Sequence, residues 1–149
     1  MIVLDANLLI YAHLDTSPQH RAAREWFSET LSSSLDVGIP IQSALAFLRL
    51  TTNRNILLGR LEMSFALEII EGWLEQPNVR LLYPAEGHWP VLRRALLEGR
   101  ASGVLSSDAH LAAVTQEYGG VLYTTDSDFS RFPGLRWINP LTGQQGKEH

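Results

Sequence analysis

The feature that most constrains the fold of this chain is a short apolar run at its start that ends in a carboxylate. Residues 2–4 are Ile-Val-Leu, the kind of run that a strand buried on both faces requires. Asp5 follows it, and Leu8 and Ala12 then continue at helical spacing. The residue between such a strand and its helix lies at the carboxyl edge of a sheet, where ligands of open α/β sheets bind. Asp5 is therefore either a helix N-cap or part of a functional site.

The rest of the chain alternates between helical and strand patterns. Apolar spacing, caps and Gly or Pro breaks predict helices at 18–31, 40–50, 64–74 and 107–118, and one from 89 that ends around 99–103. They predict strands at 79–83, 121–125 and 135–138. Because helices separate the strands and no hairpin signal is present, we predict an α/β fold with a parallel sheet flanked by helices on both faces. We assign residues 1–141 to a single domain and residues 142–149 to a polar C-terminal tail.

Composition narrows the classes of function. The absence of cysteine excludes disulfides, thiolate zinc sites and cysteine nucleophiles. No apolar run approaches the roughly 20 residues of a membrane span, and the N-terminus lacks the basic region of a signal peptide, so we expect a cytoplasmic protein. The net charge is −4, and eleven of the twelve basic residues are arginine. An acidic protein that handles an anion needs a metal ion or a local arginine patch, and arginine suits bidentate phosphate contacts.

Carboxylates also mark the ends of other predicted elements. Asp108 lies in the first turn of the helix at 107–118, and Asp126 and Asp128 follow the strand at 121–125. If that strand neighbours the first one in a parallel sheet, Asp5 and Asp126 reach the same edge. The helix that carries Asp108 also begins near one edge, and the sequence leaves open which. No phosphate-binding glycine loop and no HExxH zinc motif is present.

Two interpretations of these carboxylates remain open at this point. Each has a structural explanation, since Ser107 or Asp108 can cap its helix and Asp126 can form an Asx turn. If the carboxylates instead converge, they repel one another and need a counter-charge. A hard divalent cation is the natural one, because Mg²⁺ binds one or two carboxylates and keeps several waters. Such an ion activates water and neutralises a phosphodiester, which suits an acidic protein acting on nucleic acid.

Four motifs, in this order and spacing, resemble the PIN domain and, more narrowly, the VapC-type toxin ribonucleases. They are Leu4-Asp5-Ala-Asn7, Ser107-Asp108-Ala-His110, Thr124-Thr125-Asp126-Ser-Asp128-Phe129 and Pro133-Gly-Leu-Arg-Trp137. The resemblance runs from Met1 to about Leu141. It implies a compact PIN-like α/β/α sandwich around a central parallel sheet. It also implies Mg²⁺- or Mn²⁺-dependent endonucleolytic cleavage of RNA and inhibition by a small cognate antitoxin.

The resemblance also implies roles for particular residues. The acids expected to bind the metal are Asp5, Asp108 and Asp126, and these three together with Asp128 are the expected catalytic acids. The side chains expected to support them by orienting the acids or water are Asn7, Thr124 and Thr125.

The chain departs from the family pattern at one position. The family often has a Glu before a Leu-Leu-Arg pattern, and here Ala46 stands at that place. One metal-side carboxylate is therefore missing, and Gln42, one turn earlier, is a neutral candidate to hold a water of the ion. Whether one or two ions bind is open; we predict one well-occupied ion, ligated chiefly by Asp5 and Asp108, and slow cleavage.

Other functions and partners follow from the remaining residues. The alternative to a nuclease is a catalytically weakened PIN-fold protein that acts by binding a partner or RNA. A phosphatase that uses Asp5 as nucleophile is disfavoured, because no second Asp is nearby and Lys147 is the only lysine. His20, Arg21 and His110 contact phosphate or antitoxin in a functional interpretation, and are hydrogen-bonded structural residues in the alternative. The apolar helices at 40–50 and 64–74 predict exposed surface for a homodimer or an antitoxin helix.

Overall fold

The structure is a computed structural model that describes residues 1–55 and 61–146. Within these residues the strands are β1 (Ile2–Leu4), β2 (Val37–Pro40), β3 (Val79–Leu82), β4 (Val121–Tyr123) and β5 (Trp137–Ile138). The helices are α1 (Ala6–His13), α2 (His20–Leu31), α3 (Ile41–Thr52), α4 (Met63–Leu74), α5 (His88–Glu98) and α6 (Leu105–Glu117), with a short 3₁₀ turn at Ser127–Arg131.

The five strands form one parallel sheet in the order β3-β2-β1-β4-β5. The chain builds outward from β1 through β2 to β3, then returns to the other side of β1 for β4 and β5. The strand order therefore reverses between β1 and β4, which is the place where open α/β sheets bind ligands. This topology confirms the predicted α/β class with a central parallel sheet flanked by helices.

The core has two parts because the side chains of β1 alternate between the two faces of the sheet. Ile2 and Leu4 pack into one cluster with side chains of the first four helices, including the fully buried Phe47. Val3 packs into the other cluster with α6 and the 3₁₀ turn, which contributes Phe129. Burial on both faces explains why the first strand has no polar residue.

Strand β2 was not predicted from the sequence. Its four residues are Val37-Gly-Ile-Pro40, and both Gly and Pro are disfavoured inside strands. Gly38 is needed there because a Cβ would lie 2.4 Å from a side-chain carbon of Leu82 on the neighbouring strand. Pro40 is the last residue of β2 and the N-cap of α3. The helix therefore begins one residue after the predicted start, and the strand that ends at Pro40 was not predicted.

Other boundaries shift by two residues or fewer. The glycine end of α6 is confirmed, because Gly119 adopts φ +62° and the amide of Gly120 donates to the carbonyl of Thr115 at 3.0 Å. The predicted tail starts at Thr142, and Gln145 forms an antiparallel bridge with Ile138. Residues 147–149 of that tail lie outside the described residues. In the described part of the chain, no helix combines the length and apolarity needed to cross a membrane.

Candidate functional site

The candidate site forms where β1 and β4 end side by side. Leu4 pairs with Tyr123 in the parallel register, and the amide of Asp5 donates to the carbonyl of Tyr123 at 3.1 Å. Asp5 and the segment after β4 therefore reach the same edge of the sheet, as the sequence predicted. This edge is also the switch point of the strand order.

A buried threonine hydroxyl organises this edge. The Oγ1 atom of Thr124 donates to Oδ2 of Asp5 at 2.7 Å and accepts from the amide of Asp126 at 3.0 Å. The Nδ2 atom of Asn7 lies 3.4 Å from the same hydroxyl. Thr124, rather than Thr125, thus supports Asp5. Asp5 occupies the N-cap position of α1 but its side chain makes no capping bond, so capping does not explain it.

Helix α6 brings a second carboxylate to the same edge. Asp108 lies in the first turn of α6, whose N-cap is Val104, so the predicted capping role of Ser107 or Asp108 is wrong. The carbonyl of the preceding residue, Ser107, accepts a hydrogen bond from Nε2 of Gln42 at 2.9 Å, which ties α3 to the start of α6. The structure therefore decides the question that the sequence left open: α6 begins at the edge where Asp5 lies.

Asp126 has a structural role as well as a charge at this edge. Its Oδ1 atom accepts from the amide of Asp128 at 2.9 Å and caps the 3₁₀ turn, which confirms the Asx-turn interpretation for this residue. Asp128 itself is exposed at the rim. The structural interpretation is therefore confirmed for Asp126, whereas its role as a metal ligand stays a prediction that the capping bond, made by one oxygen, leaves open.

The electrostatics of the site show like charges brought together. Burial raises the pKa of Asp5 to about 6, opposed by the hydrogen bond from Thr124 and reinforced by the charges of Asp108 and Asp126. Burial also raises the pKa of Asp108, and the charges of Asp126 and Asp128 raise it further. Each carboxylate thus destabilises the ionised form of its neighbours, as expected for a group that lacks its counter-charge.

The donor atoms fit a hydrated hard cation better than a closed cage. No three His, Cys, Asp or Glu side chains in residues 1–55 and 61–146 stand close enough to hold an ion together. Mg²⁺ does not require this, because it binds one or two carboxylates and keeps its waters. Two amide oxygens, Oδ1 of Asn7 and Oε1 of Gln42, are buried without a hydrogen-bond partner. The hydration shell of a cation would satisfy such acceptors; the metal-ligand and catalytic roles of the acids stay a prediction.

The sequence and its fold match known proteins along most of the chain. The family model of the PIN domain matches residues 2–135. The chain belongs to the PIN domain family. This PIN domain is 35% identical over 141 residues to ribonuclease VapC33 of Mycobacterium tuberculosis, which covers 95% of this chain and 99% of that protein. The VapC-type resemblance of the four sequence motifs is thereby confirmed.

Solved structures of lower identity share the fold of this PIN domain. The crystal structure of Mycobacterium tuberculosis VapC20, described as a sarcin–ricin loop cleaving toxin, superposes with a TM-score of 0.64 at 18% identity and covers 87% of this chain and 93% of its own. A toxin–antitoxin complex from Klebsiella pneumoniae has a TM-score of 0.63 at 14% identity and covers 94% and 98%. At these identities the likeness shows the fold.

An arginine that no sequence motif indicated lies beside the acids of this PIN domain. The charge of Arg131 lowers the pKa of Asp108, against the effects of burial and the other acids. Its guanidinium lies 3.4 Å and 3.3 Å from the carbonyls of Gly99 and Arg100, just after α5. No local sequence pattern indicates this pair, because Arg131 and Asp108 are brought together only by the packing of the 3₁₀ turn against α5 and α6.

Three histidines of this PIN domain, His20, His88 and His110, make hydrogen bonds within the fold. Nδ1 of His20 lies 2.8 Å from the carbonyl of Tyr11, and Nδ1 of His110 lies 2.9 Å from Nε2 of His88. The other ring nitrogen of His88 is hydrogen-bonded to the buried carboxylate of Glu117. Arg21 pairs with Glu25 on the exposed face of α2. These contacts favour the structural interpretation of His20, Arg21 and His110.

Proposed function

We propose that this PIN domain is a Mg²⁺- or Mn²⁺-dependent endoribonuclease and the toxin of a VapBC-type toxin–antitoxin pair. The observation that carries this proposal is the convergence of Asp5, Asp108 and Asp126 at the carboxyl edge of β1 and β4, with the pKa of Asp5 and Asp108 raised by burial and mutual repulsion. The names of its relatives support RNA as the substrate, since VapC33 is named a ribonuclease. In this proposal the protein acts in the cytoplasm.

The chemistry follows from the donor atoms at this edge. Asp5 and Asp108 are the chief candidates to hold a divalent ion, with Asp126 beside them. When bound, the ion supplies counter-charge for the phosphodiester and lowers the pKa of water. The hydroxyl of Thr124 fixes the orientation of the Asp5 carboxylate through its 2.7 Å hydrogen bond. The unpartnered amide oxygens of Asn7 and Gln42 accept hydrogen bonds from waters at the site.

The test is RNA cleavage by the purified protein, freed of any partner, with and without divalent metal. We expect cleavage with Mg²⁺ or Mn²⁺, none in excess EDTA, and none for Asp5→Asn. The matched control is Asp36→Asn, because Asp36 is an exposed acid at the opposite end of the strands, before β2, where it pairs with Arg80. Cleavage that persists in EDTA removes the metal mechanism, and full activity of Asp5→Asn removes the site assignment.

The antitoxin partner is proposed from the surface of α2 and α4 as well as from the relatives. A groove of about 770 Å³ lies between these helices and includes Arg24, Phe27 and Phe65 in its lining. Phe65 is 52% exposed and Met63, on the same helix, is 47% exposed. Apolar side chains of this size exposed together favour a bound helix or a second copy of the chain.

Co-expression and sedimentation test the partners. Expression next to the neighbouring short reading frame should give a co-purifying peptide that inhibits cleavage, and Phe65→Ser should weaken that complex. Without the peptide, the predicted homodimer should appear at micromolar concentration. A monomer that expresses without toxicity and retains no peptide contradicts both partner assignments. The catalytically weakened binding protein becomes the better assignment if RNA or the peptide binds and no cleavage is detected at any metal concentration.

A further inference from the structure

A groove of about 400 Å³ lies between α3 and the start of α6, next to the acids. Four of its lining residues, Gln42, Leu45, Ala46 and Arg49, follow one another at the spacing of a single helix face, and Ser107 forms the other wall. The hydrogen bond from Gln42 to the carbonyl of Ser107 closes one end of it. The groove therefore begins one residue away from Asp108.

The groove between α3 and α6 differs in charge from the sheet edge where Asp5, Asp108 and Asp126 lie. Arg49 is exposed, and it takes part in none of the ion pairs found among the described residues. Ala46 leaves the floor without charge, and Leu45, which is 59% exposed, adds an apolar wall. A groove lined by one arginine, no acid and an apolar wall is complementary to a nucleic-acid backbone, whose phosphates alternate with sugars.

Arg49 and Arg131 differ in whether the protein itself already contacts the guanidinium group. Arg131 lies close enough to Asp108 to lower the pKa of that acid, and its guanidinium is held by carbonyls at the end of α5. Arg49 lines the groove two helical turns after Gln42, and it is exposed. A protein of net charge −4 does not attract RNA over its whole surface, so it needs such local cations.

We propose that the groove between α3 and α6 is an RNA-backbone subsite in which Arg49 binds a phosphate that neighbours the phosphate at the acids. The inference rests on the proposed ribonuclease function. Arginine suits this task because its planar guanidinium binds a phosphate through two parallel hydrogen bonds. Leu45 packs against the sugar or base of the same nucleotide, and Ala46 leaves room for the strand.

The test is binding of a labelled single-stranded RNA over a range of salt, measured on the full chain carrying Asp5→Asn so that the RNA is not cut. Adding Arg49→Gln should weaken binding about tenfold. It should also reduce the slope of log K against log salt by about 0.7, the value for one phosphate contact to a single strand. Arg49→Lys should restore part of the affinity. The matched control is Arg80→Gln, which removes the same charge on β3 beside Asp36 and should leave the slope unchanged.

Four outcomes overturn the subsite, and the last of them also removes the proposed function. Equal affinity and slope for Arg49→Gln and its parent, while the protein without Asp5→Asn cleaves RNA, removes the subsite and leaves the ribonuclease in place. A change in sedimentation of Arg49→Gln assigns the groove to contacts between subunits instead. If Arg49→Gln and Arg49→Lys both lose affinity for RNA and both melt at a lower temperature, Arg49 acts through the stability of α3. If the parent neither binds nor cleaves RNA, the proposed function fails together with the subsite.

Discussion

Two groups of titratable side chains in this PIN domain differ in whether neighbouring groups stabilise their charges. At the carboxyl edge of the sheet, Asp5 and Asp108 lie among further acids, and each raises the free energy of its ionised neighbours. Between α5 and α6, Glu117 accepts from a ring nitrogen of His88 and from the amide of Ala85 at 3.0 Å. The second ring nitrogen of His88 is bonded to His110 at 2.9 Å.

The difference lies in whether the fold itself supplies the partners. The side chain of Glu117 is only 5% exposed, and donors from two segments satisfy it. The acids at the sheet edge receive hydrogen bonds from the hydroxyl of Thr124 and the amide of Asp128, and the charge of Arg131 acts on Asp108. Burial and mutual repulsion nevertheless raise the pKa of Asp5 and of Asp108. A group whose partners are internal stabilises the fold, whereas a group whose counter-charge must come from outside is a candidate for function.

The largest expected difference is in cleavage. Asp5→Asn should lower the rate of RNA cleavage by a factor of at least about 100, the size seen when an electrostatic catalytic group is removed. Glu117→Gln should change the rate by less than about threefold, because it leaves the acids untouched. Initial rates with Mn²⁺ in excess decide between them. A comparable loss in both variants would show that the histidine chain takes part in the chemistry.

The free energy of unfolding should depend more on Glu117 than on the acids at the sheet edge. Glu117→Ala should lower the free energy of unfolding by about 1–3 kcal/mol, because it removes a buried carboxylate and leaves the half-buried ring of His88 without its acceptor. Glu25→Ala, which removes an exposed pair with Arg21, is the control and should change it by less than about 0.5 kcal/mol. Urea unfolding measures both. Equal values would mean that the buried network contributes no more than a surface pair.

Neutralising an acid at the sheet edge should stabilise the metal-free protein. The pKa of Asp5 is about 6 in the folded state, against roughly 3.9 when unfolded. Below pH 4 both states hold the proton and no penalty exists. As the pH rises through 6, the folded state must ionise a buried carboxyl, so stability is lost. Asp5→Asn should therefore be more stable by about 1–2 kcal/mol above pH 7 in EDTA, and no more stable at pH 4.

Melting curves of this variant and its parent, collected from pH 4 to pH 8 in EDTA, check the sign. A variant that is less stable than its parent at every pH would assign Asp5 a structural role. Added Mn²⁺ should raise the melting temperature of the parent and leave that of Asp5→Asn unchanged.

The smallest expected effect is at Ala46. Ala46→Glu adds a carboxylate on the face of α3 that lies beside Ser107. It should raise Mn²⁺ affinity by about tenfold or less, since one added carboxylate is a further ligand or counter-charge. The same charge should weaken RNA binding in the groove. Mn²⁺ titration followed by paramagnetic resonance, and anisotropy with labelled RNA, separate the two effects. Two fully occupied Mn²⁺ positions in a crystal of the parent would show that Ala46 does not limit metal binding.

The sequence predicted most of the fold because its signals are local. The run at residues 2–4 followed by Asp5, and the glycines after α6, report on burial and backbone geometry within a few residues. The strand β2 was missed because Gly38 and Pro40 meet demands of the tertiary structure, the close approach of Leu82 and the start of α3, at the expense of strand propensity.

The sequence by itself determined that acids end the strands and begin the last helix, and the four motifs determined the family. Only the tertiary structure decided that α6 begins at the same edge as Asp5 and that Thr124 is the supporting hydroxyl. It also decided that Gln42 bonds to Ser107, next to Asp108, and that the charge of Arg131 acts on Asp108. The physical reason is that these contacts join residues from separate elements. Their distances depend on how helices pack on the sheet, and no periodicity within one segment encodes that packing.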